Sequence, residues 1–360
     1  MSFFSSNSEY SLGVDFGTQS IKAVELKHIK GKAHLINYAW VNVTNVKEVP
    51  DAYDNDYAKR LSDALNELFI QMKPHTKNAT VAIPSFNGLV MIVDFPRMNE
   101  KDVANAIKFE SRKYIPASLD DVNVSWEILD EEKNTSNKKD KIEQNKKKKS
   151  KSSTMKVLLV AAPKSEVQYY DGLFKDVDVQ ISSLELEPFA LTRSIIGTTN
   201  GRFLLVDIGA KTTNIVLVNN GIVHINRSVD IGGVNMTNSI MQSMNISREK
   251  AISLKESGEN FFTGAAKIGF PSLNAIANEI KRVLAVQKSD KIEALVLCGG
   301  SSRLVGIAEY FNKITGLTVT IGNPLSHIVH DEQKSGKIKE LSSSFAVAIG
   351  LALRGIEEEK

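Results

Sequence analysis

Two stretches of the chain carry the same order of apolar and polar positions. The first, SLGVDFGTQSIKAVELKHIKGKAHL, begins at Ser11, and the second, FLLVDIGAKTTNIVLVNNGIVHI, begins at Phe203. In each, an apolar strand ends in Asp-x-Gly, hydroxyl residues follow, a second apolar strand returns and a turn closes the hairpin. The turn signals are Lys30 and Gly31 in the first copy and Asn219, Asn220 and Gly221 in the second. The aspartates lie 207 − 15 = 192 positions apart. The pattern predicts an internal duplication.

After the first copy, the spacing of Tyr57, Leu61, Leu65 and Leu68 predicts an amphipathic helix, followed by a strand at Thr80 to Ile83. Pro84 opens a different unit: a strand at Gly88 to Phe95, a helix from about Glu100 to Tyr114 begun at the polar Asn99, and strands at Val122 to Leu129 and Met155 to Ala162. A helix is expected over Leu184 to Ile196, and the second half begins near Gly201. Helices are expected there at Asp230 to Met244, Arg248 to Ser257 and Ser272 to Lys288. A strand at Ala294 to Cys298 runs into Gly299 and Gly300, where a further helix is expected to start. Ser342 to Leu353 reads as a buried closing helix. The expected organisation is a first domain from residues 1–84 and 163–200, an inserted α+β subdomain at 85–162, and a second domain at 201–360 with a helical subdomain at about 232–290.

A chain of 360 residues, 42% hydrophobic, is longer than one core needs. The start, MSFFSSNSEY, lacks the basic and apolar regions of a secretory signal, and no stretch reads as a membrane span, so a cytosolic protein is expected. Cys298 is the single cysteine, which excludes an internal disulfide, and no Cys/His cluster suggests zinc. The net charge of +3 comes from one place. Glu131 to Ser153 holds nine Lys against four acids, +5, leaving 3 − 5 = −2 for the rest, so no nucleic-acid-binding face is implied. That segment reads as a solvated, flexible loop or as a basic patch for anionic lipid or an acidic partner.

The chemistry sits in the loops. Glycines at 17 and 209 let the backbone bend sharply and aim its N–H groups at an anion. The two loops predict a cleft clamping a polyphosphate, with Thr18, Gln19 and Ser20 on one side and Ala210, Lys211, Thr212 and Thr213 on the other. Lys22 is expected on the same face as the hydroxyls, as a phosphate partner or a solvent-facing strand lysine. Asp15 and Asp207 are expected to hold Mg²⁺ through its waters, or merely to brace the turns. Glu187 is the candidate for orienting an attacking water, alongside Asp207, or is an acid favoured by a helix N-terminus. Gly232 and Gly233 join the phosphate loops. The third loop, LVLCGGSSRLVGI, offers Gly299, Gly300, Ser301 and Arg303 at an expected helix start suited to adenosine, with Glu279 and Arg282 as ribose and base contacts or as solvated helix charges.

Taken together, DFGTQSIK, LEPFALTR, DIGAKTT, CGGSSRLVGI and AVAIGLALRG resemble the five ordered nucleotide motifs of the actin and heat-shock chaperone ATPase fold, and within it the type IV pilus assembly family of PilM. The resemblance covers nearly the whole chain. It implies an α/β fold with two actin-like (ribonuclease H-like) domains around a nucleotide cleft, a small α+β subdomain inserted in the first, ATP with Mg²⁺, and Glu187 at the family's water-orienting position. The cell-division protein FtsA is similar in carrying an inserted subdomain, but AIKFESRKYIP is closer to the pilus family and the chain stops at RGIEEEK, where FtsA-like proteins end in a basic amphipathic helix.

The resemblance further implies an adaptor at the inner face of the cytoplasmic membrane. It would hold the N-terminal peptide of PilN, and through it the PilN/PilO complex, in a groove bordered by Val81 to Phe86 and Lys101 to Tyr114, with indirect membrane contact. Pilus motor or platform proteins and a homo-oligomer are further candidate contacts. Two features depart from the pattern: the lysine-rich segment, and Asn214 where many actin-like ATPases carry Asp. The second implies slow or negligible hydrolysis. A filament-forming division ATPase and a small-molecule kinase of the same fold are the alternatives, and the second loop holds no added acid to support the kinase.

Overall fold

The computed structural model describes residues 9–43, 55–129, 154–264, 267–286, 291–331 and 336–357. The lysine-rich stretch 131–153 lies outside them. The chain divides into two compact units, residues 87–166 and the remainder, 1–86 with 167–360.

The first copy of the repeat forms β1 (Tyr10–Phe16), β2 (Ser20–Ile29) and β3 (Lys32–Asn42). The interior of β1 is buried throughout, as a strand covered on both faces requires, and its sequence is therefore apolar without alternation. Lys30 and Gly31 both take positive φ, 49° and 78°, the combination whose twist matches the two flanking strands. Helix α1 (Asn55–Met72) buries Tyr57, Leu61, Leu65 and Leu68, and β4 (Asn78–Ile83) returns parallel to β1.

The smaller unit holds β5 (Leu89–Pro96), α2 (Glu100–Glu110), β6 (Val122–Leu129) and β7 (Thr154–Pro163), with an antiparallel sheet in the order β5-β7-β6. Val103 and Ile107 of α2 cover Val93, Phe95, Val157 and Leu159. The helix stops at Glu110, short of Tyr114, because Ser111–Lys113 tighten into a 3₁₀ turn and Pro116 disfavours helical backbone at Ile115. Asn99 caps the start, its Oδ1 accepting the Asp102 N–H at 3.0 Å. Asn99→Ala is expected to cost about 1 kcal/mol, read as a lower urea midpoint for loss of helical signal; an unmoved midpoint would show that the cap contributes nothing.

Helix α3 (Lys164–Phe174) leads to β8 (Gln180–Leu186), parallel to β4, and α4 (Glu187–Ile195). The helix expected over Leu184 to Ile196 is thus part strand. Leu184–Leu186 finish β8, and the helix opens at Glu187 with Pro188 in its first turn, where a missing N–H leaves no bond unmade.

The second copy forms β9 (Arg202–Ile208), β10 (Thr213–Asn219) and β11 (Ile222–Val229), with Asn220 and Gly221 at φ 49° and 79°. There follow α5 (Gly233–Met244), α6 (Arg248–Glu256), α7 (Pro271–Val286), β12 (Ala294–Cys298), α8 (Ile307–Thr315) and β13 (Val319–Ile321). The two five-stranded sheets run β3-β2-β1-β4-β8 and β11-β10-β9-β12-β13: an antiparallel trio extended by two parallel strands in each. The duplication therefore extends from motif to topology. On the second sheet, Leu273, Ile276, Ile280 and Val283 of α7 pack with Leu204, Val206, Ile215 and Leu217.

After α9 (Gly336–Leu341), a 3₁₀ turn at Ser342–Phe345 leads into α10 (Ala346–Glu357). The closing helix returns to the first sheet, where Ala348 and Ala352 share a core with Val24 and Leu26. It also meets α4. Arg193 of α4 donates to both oxygens of Glu185, at 2.9 and 2.7 Å, and to the Gly350 carbonyl of α10 at 2.9 Å. No described helix is long and apolar enough to cross a membrane.

Candidate functional site

The two Asp-x-Gly loops have the same internal geometry. Gly17 N–H donates to the Ser20 carbonyl at 3.0 Å, and Gly209 N–H to the Thr212 carbonyl at 2.9 Å, positions again offset by 192. Opposite each aspartate in the hairpin stands the same register position: Lys22 opposite Asp15 and Asn214 opposite Asp207. Lys22 Nζ lies 3.4 Å from Asp15 Oδ2, so the lysine reaches back over its own loop. Thr18, Gln19, Ser20, Lys211 and Thr212 are half-buried around the loops, without a side-chain hydrogen bond among the described residues.

The carboxylates are electrostatically linked. Burial, then the charge of Asp15, raises the Asp207 carboxyl to about 7 against the pull of Lys22. Glu187 is likewise raised to about 7, first by burial, then by Asp15 and Asp207, with hydrogen bonds from Ser85 opposing. Glu187 opens α4, and its Oε2 accepts three hydrogen bonds at 2.9 Å each: from Ser85 N–H, Ser85 Oγ and Asn214 Nδ2.

Three glycines let the surrounding backbones close up. A Cβ on Gly232 would stand 2.6 Å from the Ala210 carbonyl oxygen, one on Gly299 2.5 Å from Asp207 Oδ1, and one on Gly233 inside contact distance of Ser301 Oγ. Gly233 N–H donates to the Gly209 carbonyl at 2.9 Å, and Ser301 Oγ to the same carbonyl at 3.2 Å. Gly209, Gly232, Gly233, Gly299 and Ser301 thus form one cluster beside Asp207. Gly300 opens the adjoining turn.

Several expectations change. The third loop does not start a helix: Gly300–Arg303 is a 3₁₀ turn, and α8 begins only at Ile307 because Gly306 takes φ 88°. The loop thus opens no α-helix of its own, and Arg303 is exposed. Thr213 is fully buried and its hydroxyl donates to the Ile231 carbonyl at 2.6 Å, bracing the Gly232 turn instead of facing the cleft. Residues 230–232, expected to be helical, form that turn, and α5 starts at Gly233. Glu279 is paired with Arg227 at 2.7 Å and Arg282 at 2.9 Å.

Lys255 was missed by sequence reasoning. From α6 its Nζ donates to the Gly233 carbonyl at 3.1 Å and Thr237 Oγ1 at 2.9 Å, and burial lowers its pKa. Ser85 and Ser228 were missed too, since no local spacing connects them to the loops. Cys298 is fully buried beside Asp207 on the neighbouring strand, and burial, then the Asp207 charge, holds its thiol in the protonated form.

The donor set suits a phosphate-bound cation. Two half-buried acids raised toward neutrality are groups whose ionised forms a nearby positive charge would stabilise. Among the described residues no group of three or more His, Cys, Asp or Glu side chains is placed to hold an ion by itself. A cation here would need phosphate oxygens and water as further ligands, which is the habit of Mg²⁺.

Comparison with known proteins places the family and the fold. The family model of type IV pilus assembly protein PilM matches residues 13–356. A solved PilM-PilN type IV pilus biogenesis complex superposes with a TM-score of 0.77 at 22% identity, over 96% of this chain and 98% of that one. The ethanolamine utilization protein EutJ of Carboxydothermus hydrogenoformans is similar at TM-score 0.54 and 16% identity, over 96% and 89%. MreB 5 of Spiroplasma citri, solved with AMPPNP bound, is similar at TM-score 0.52 and 13% identity, over 98% of each. The fold is the actin-like ATPase fold.

Proposed function

The chain belongs to the family of type IV pilus assembly protein PilM, and from that premise we propose that it is an ATP-binding scaffold of the pilus inner-membrane platform that holds the N-terminal peptide of PilN. The observation that carries the nucleotide half of this reading is the pair of identically built Asp-x-Gly loops with Asp15, Asp207 and Glu187 in electrostatic contact. The N–H groups and hydroxyls of Thr18, Gln19, Ser20 and Thr212 would receive phosphate oxygens, and Lys22 would turn from Asp15 toward them. Asp15 and Asp207 would hold Mg²⁺ through water. When bound, the ion neutralises phosphate charge and stabilises the ionised acids. Gly232 and Gly233, packed on Gly209 and Ala210, would line the phosphate side, and Gly299, Gly300 and Ser301 the ribose side, with Glu279 and Arg282 farther along.

The partner half rests on the family and on the PilM-PilN complex. One large ring in the smaller unit adds to it: Phe109 of α2 is 75% exposed. An apolar ring held in water is what a short peptide with apolar side chains would cover. Attachment to the membrane would then be peripheral, through PilN, with turnover slow enough that nucleotide acts as a signal.

The test is calorimetric titration of the full chain with a synthetic PilN N-terminal peptide, with and without MgATP. Binding in both conditions is expected, with Kd shifted several-fold by nucleotide. Absence of peptide binding in both would remove the adaptor reading, and absence of any MgATP heat would remove the nucleotide reading.

A further inference from the structure

Glu187 does not stand alone in the cleft. Its Oε2 collects donors from both sheets of the larger unit: Ser85 follows β4 of the first, and Asn214 lies on β10 of the second. Asn214 is itself oriented. Ser228 Oγ, on the neighbouring β11, donates to its Oδ1 at 2.7 Å, which commits the amide nitrogen to Glu187. Oε1 of the same carboxylate receives no hydrogen bond among the described residues. One oxygen thus takes three donors and the other is left as a free acceptor, on a carboxyl group that feels the charges of Asp15 and Asp207.

The pseudo-symmetric position makes the arrangement specific. Lys22 and Asn214 occupy equivalent places in the two hairpins, yet Lys22 meets its own loop aspartate whereas Asn214 reaches across to the other half. Among the described residues, Asn214 is the side-chain donor that the second sheet supplies to Glu187. The asparagine therefore belongs to the site as a donor and is more than a lost carboxylate.

The geometry points to Ser85 and Asn214, with Ser228 behind, as positioning residues that pin Glu187 by one oxygen between the two sheets and leave the other to orient a water at the nucleotide. This rests on the nucleotide reading above. Because the donors come from both halves, Glu187 is held in working orientation only while the halves keep this arrangement, and the same contact links nucleotide occupancy to Ser85, two residues before the chain enters the smaller unit at Asn87.

The experiment uses the full chain with wild type, Ser85→Ala, Ser85→Thr and Asn214→Leu, each checked for an unchanged melting profile. ATP affinity is read by calorimetry and hydrolysis by single-turnover assays from pH 5.5 to 9. Affinity is expected within about three-fold of wild type in every variant, while Ser85→Ala and Asn214→Leu lose about ten-fold or more in rate. Loss of a donor to the ionised carboxylate moves the acid limb of the rate profile up by about one pH unit, and Ser85→Thr, which keeps the hydroxyl, restores both. Wild-type binding without measurable turnover, or turnover with unchanged rate and profile in Ser85→Ala and Asn214→Leu, would overturn the assignment while leaving the nucleotide site standing. A wild-type chain that binds no ATP would instead defeat the reading on which it rests.

Discussion

Gly350→Ala is expected to lower the stability of the larger unit by about 3 kcal/mol, at the upper end of what a single overpacked methylene costs. The reason lies in two helices that meet backbone to backbone. A Cβ at Gly350 of α10 would overlap the Ala190 carbonyl of α4 and stand 2.8 Å from Ala190 Cα. Neither partner is a side chain that can swing aside. On its other face α10 lies over β1, where Gly13 has no room for a Cβ against Ala348 and Ala352. The helix is therefore fixed on both sides and cannot retreat from one contact without entering the other. Arg193 adds a directional constraint, since its bond to the Gly350 carbonyl and its bidentate grip on Glu185 hold the crossing in register. Gly172→Ala in α3 is the control: its methyl would meet nothing within 4 Å, and the change should be neutral or stabilising by up to about 1 kcal/mol. Urea titration of both variants decides the matter, and equal midpoints would show that the α4–α10 crossing is loosely packed.

What the chain reveals of itself follows from how local each signal is. The duplicated hairpins were legible because their information is contiguous: an apolar run, Asp-x-Gly and a turn pair whose positive φ at Lys30–Gly31 and Asn220–Gly221 suits few residues. Strand β8 was hidden. Polar Gln180, Ser182, Ser183 and Glu185 dilute its apolar residues, and Leu184 to Leu186 run straight into a helix, so the two periods blur at Glu187. The third loop misled for a related reason, since paired glycines after a strand commonly open a helix, and only the positive φ of Gly299 and Gly306 delays it here. The site was half visible. Asp15, Asp207 and Glu187 announce themselves by motif, but what holds Glu187 comes from positions 85, 214 and 228, and Lys255 reaches the Gly233 turn from a separate helix. The Asn214 contact arises only when the two sheets are assembled, and the others join separate elements, so no short window along the chain contains them. The hydroxyl of Thr213 shows the converse: its place in the motif suggested a ligand contact, whereas burial turned it to a backbone carbonyl.

Asp207→Asn is expected to move stability and nucleotide binding in opposite directions. The Asp207 carboxyl is raised from 3.8 to about 7 by burial and by Asp15, so between these values the folded chain holds a proton that the unfolded chain has released. Stability from this group is greatest below about pH 4, falls as pH rises through the window, and is gone above 7. A shift of this size would be worth roughly 4 kcal/mol at about 1.4 per unit. The half-buried side chain keeps solvent contact and shares its titration with Glu187, which reduces the expected effect to on the order of 1–2 kcal/mol. Asparagine has no charge to bury. The variant should therefore match wild type near pH 4 and exceed it at pH 8, where wild type must keep the ionised acid close to Asp15. In MgATP the order reverses: without the carboxylate that supports the ion, affinity should fall about 10–100-fold, and the nucleotide-dependent rise in melting temperature should shrink with it. Melting curves at about pH 4 and pH 8, with and without MgATP at pH 8, carry both measurements. If the variant gains nothing at pH 8 in the absence of nucleotide, Asp207 is not a strained acid; if it keeps full stabilisation by MgATP, Asp207 does not support the ion.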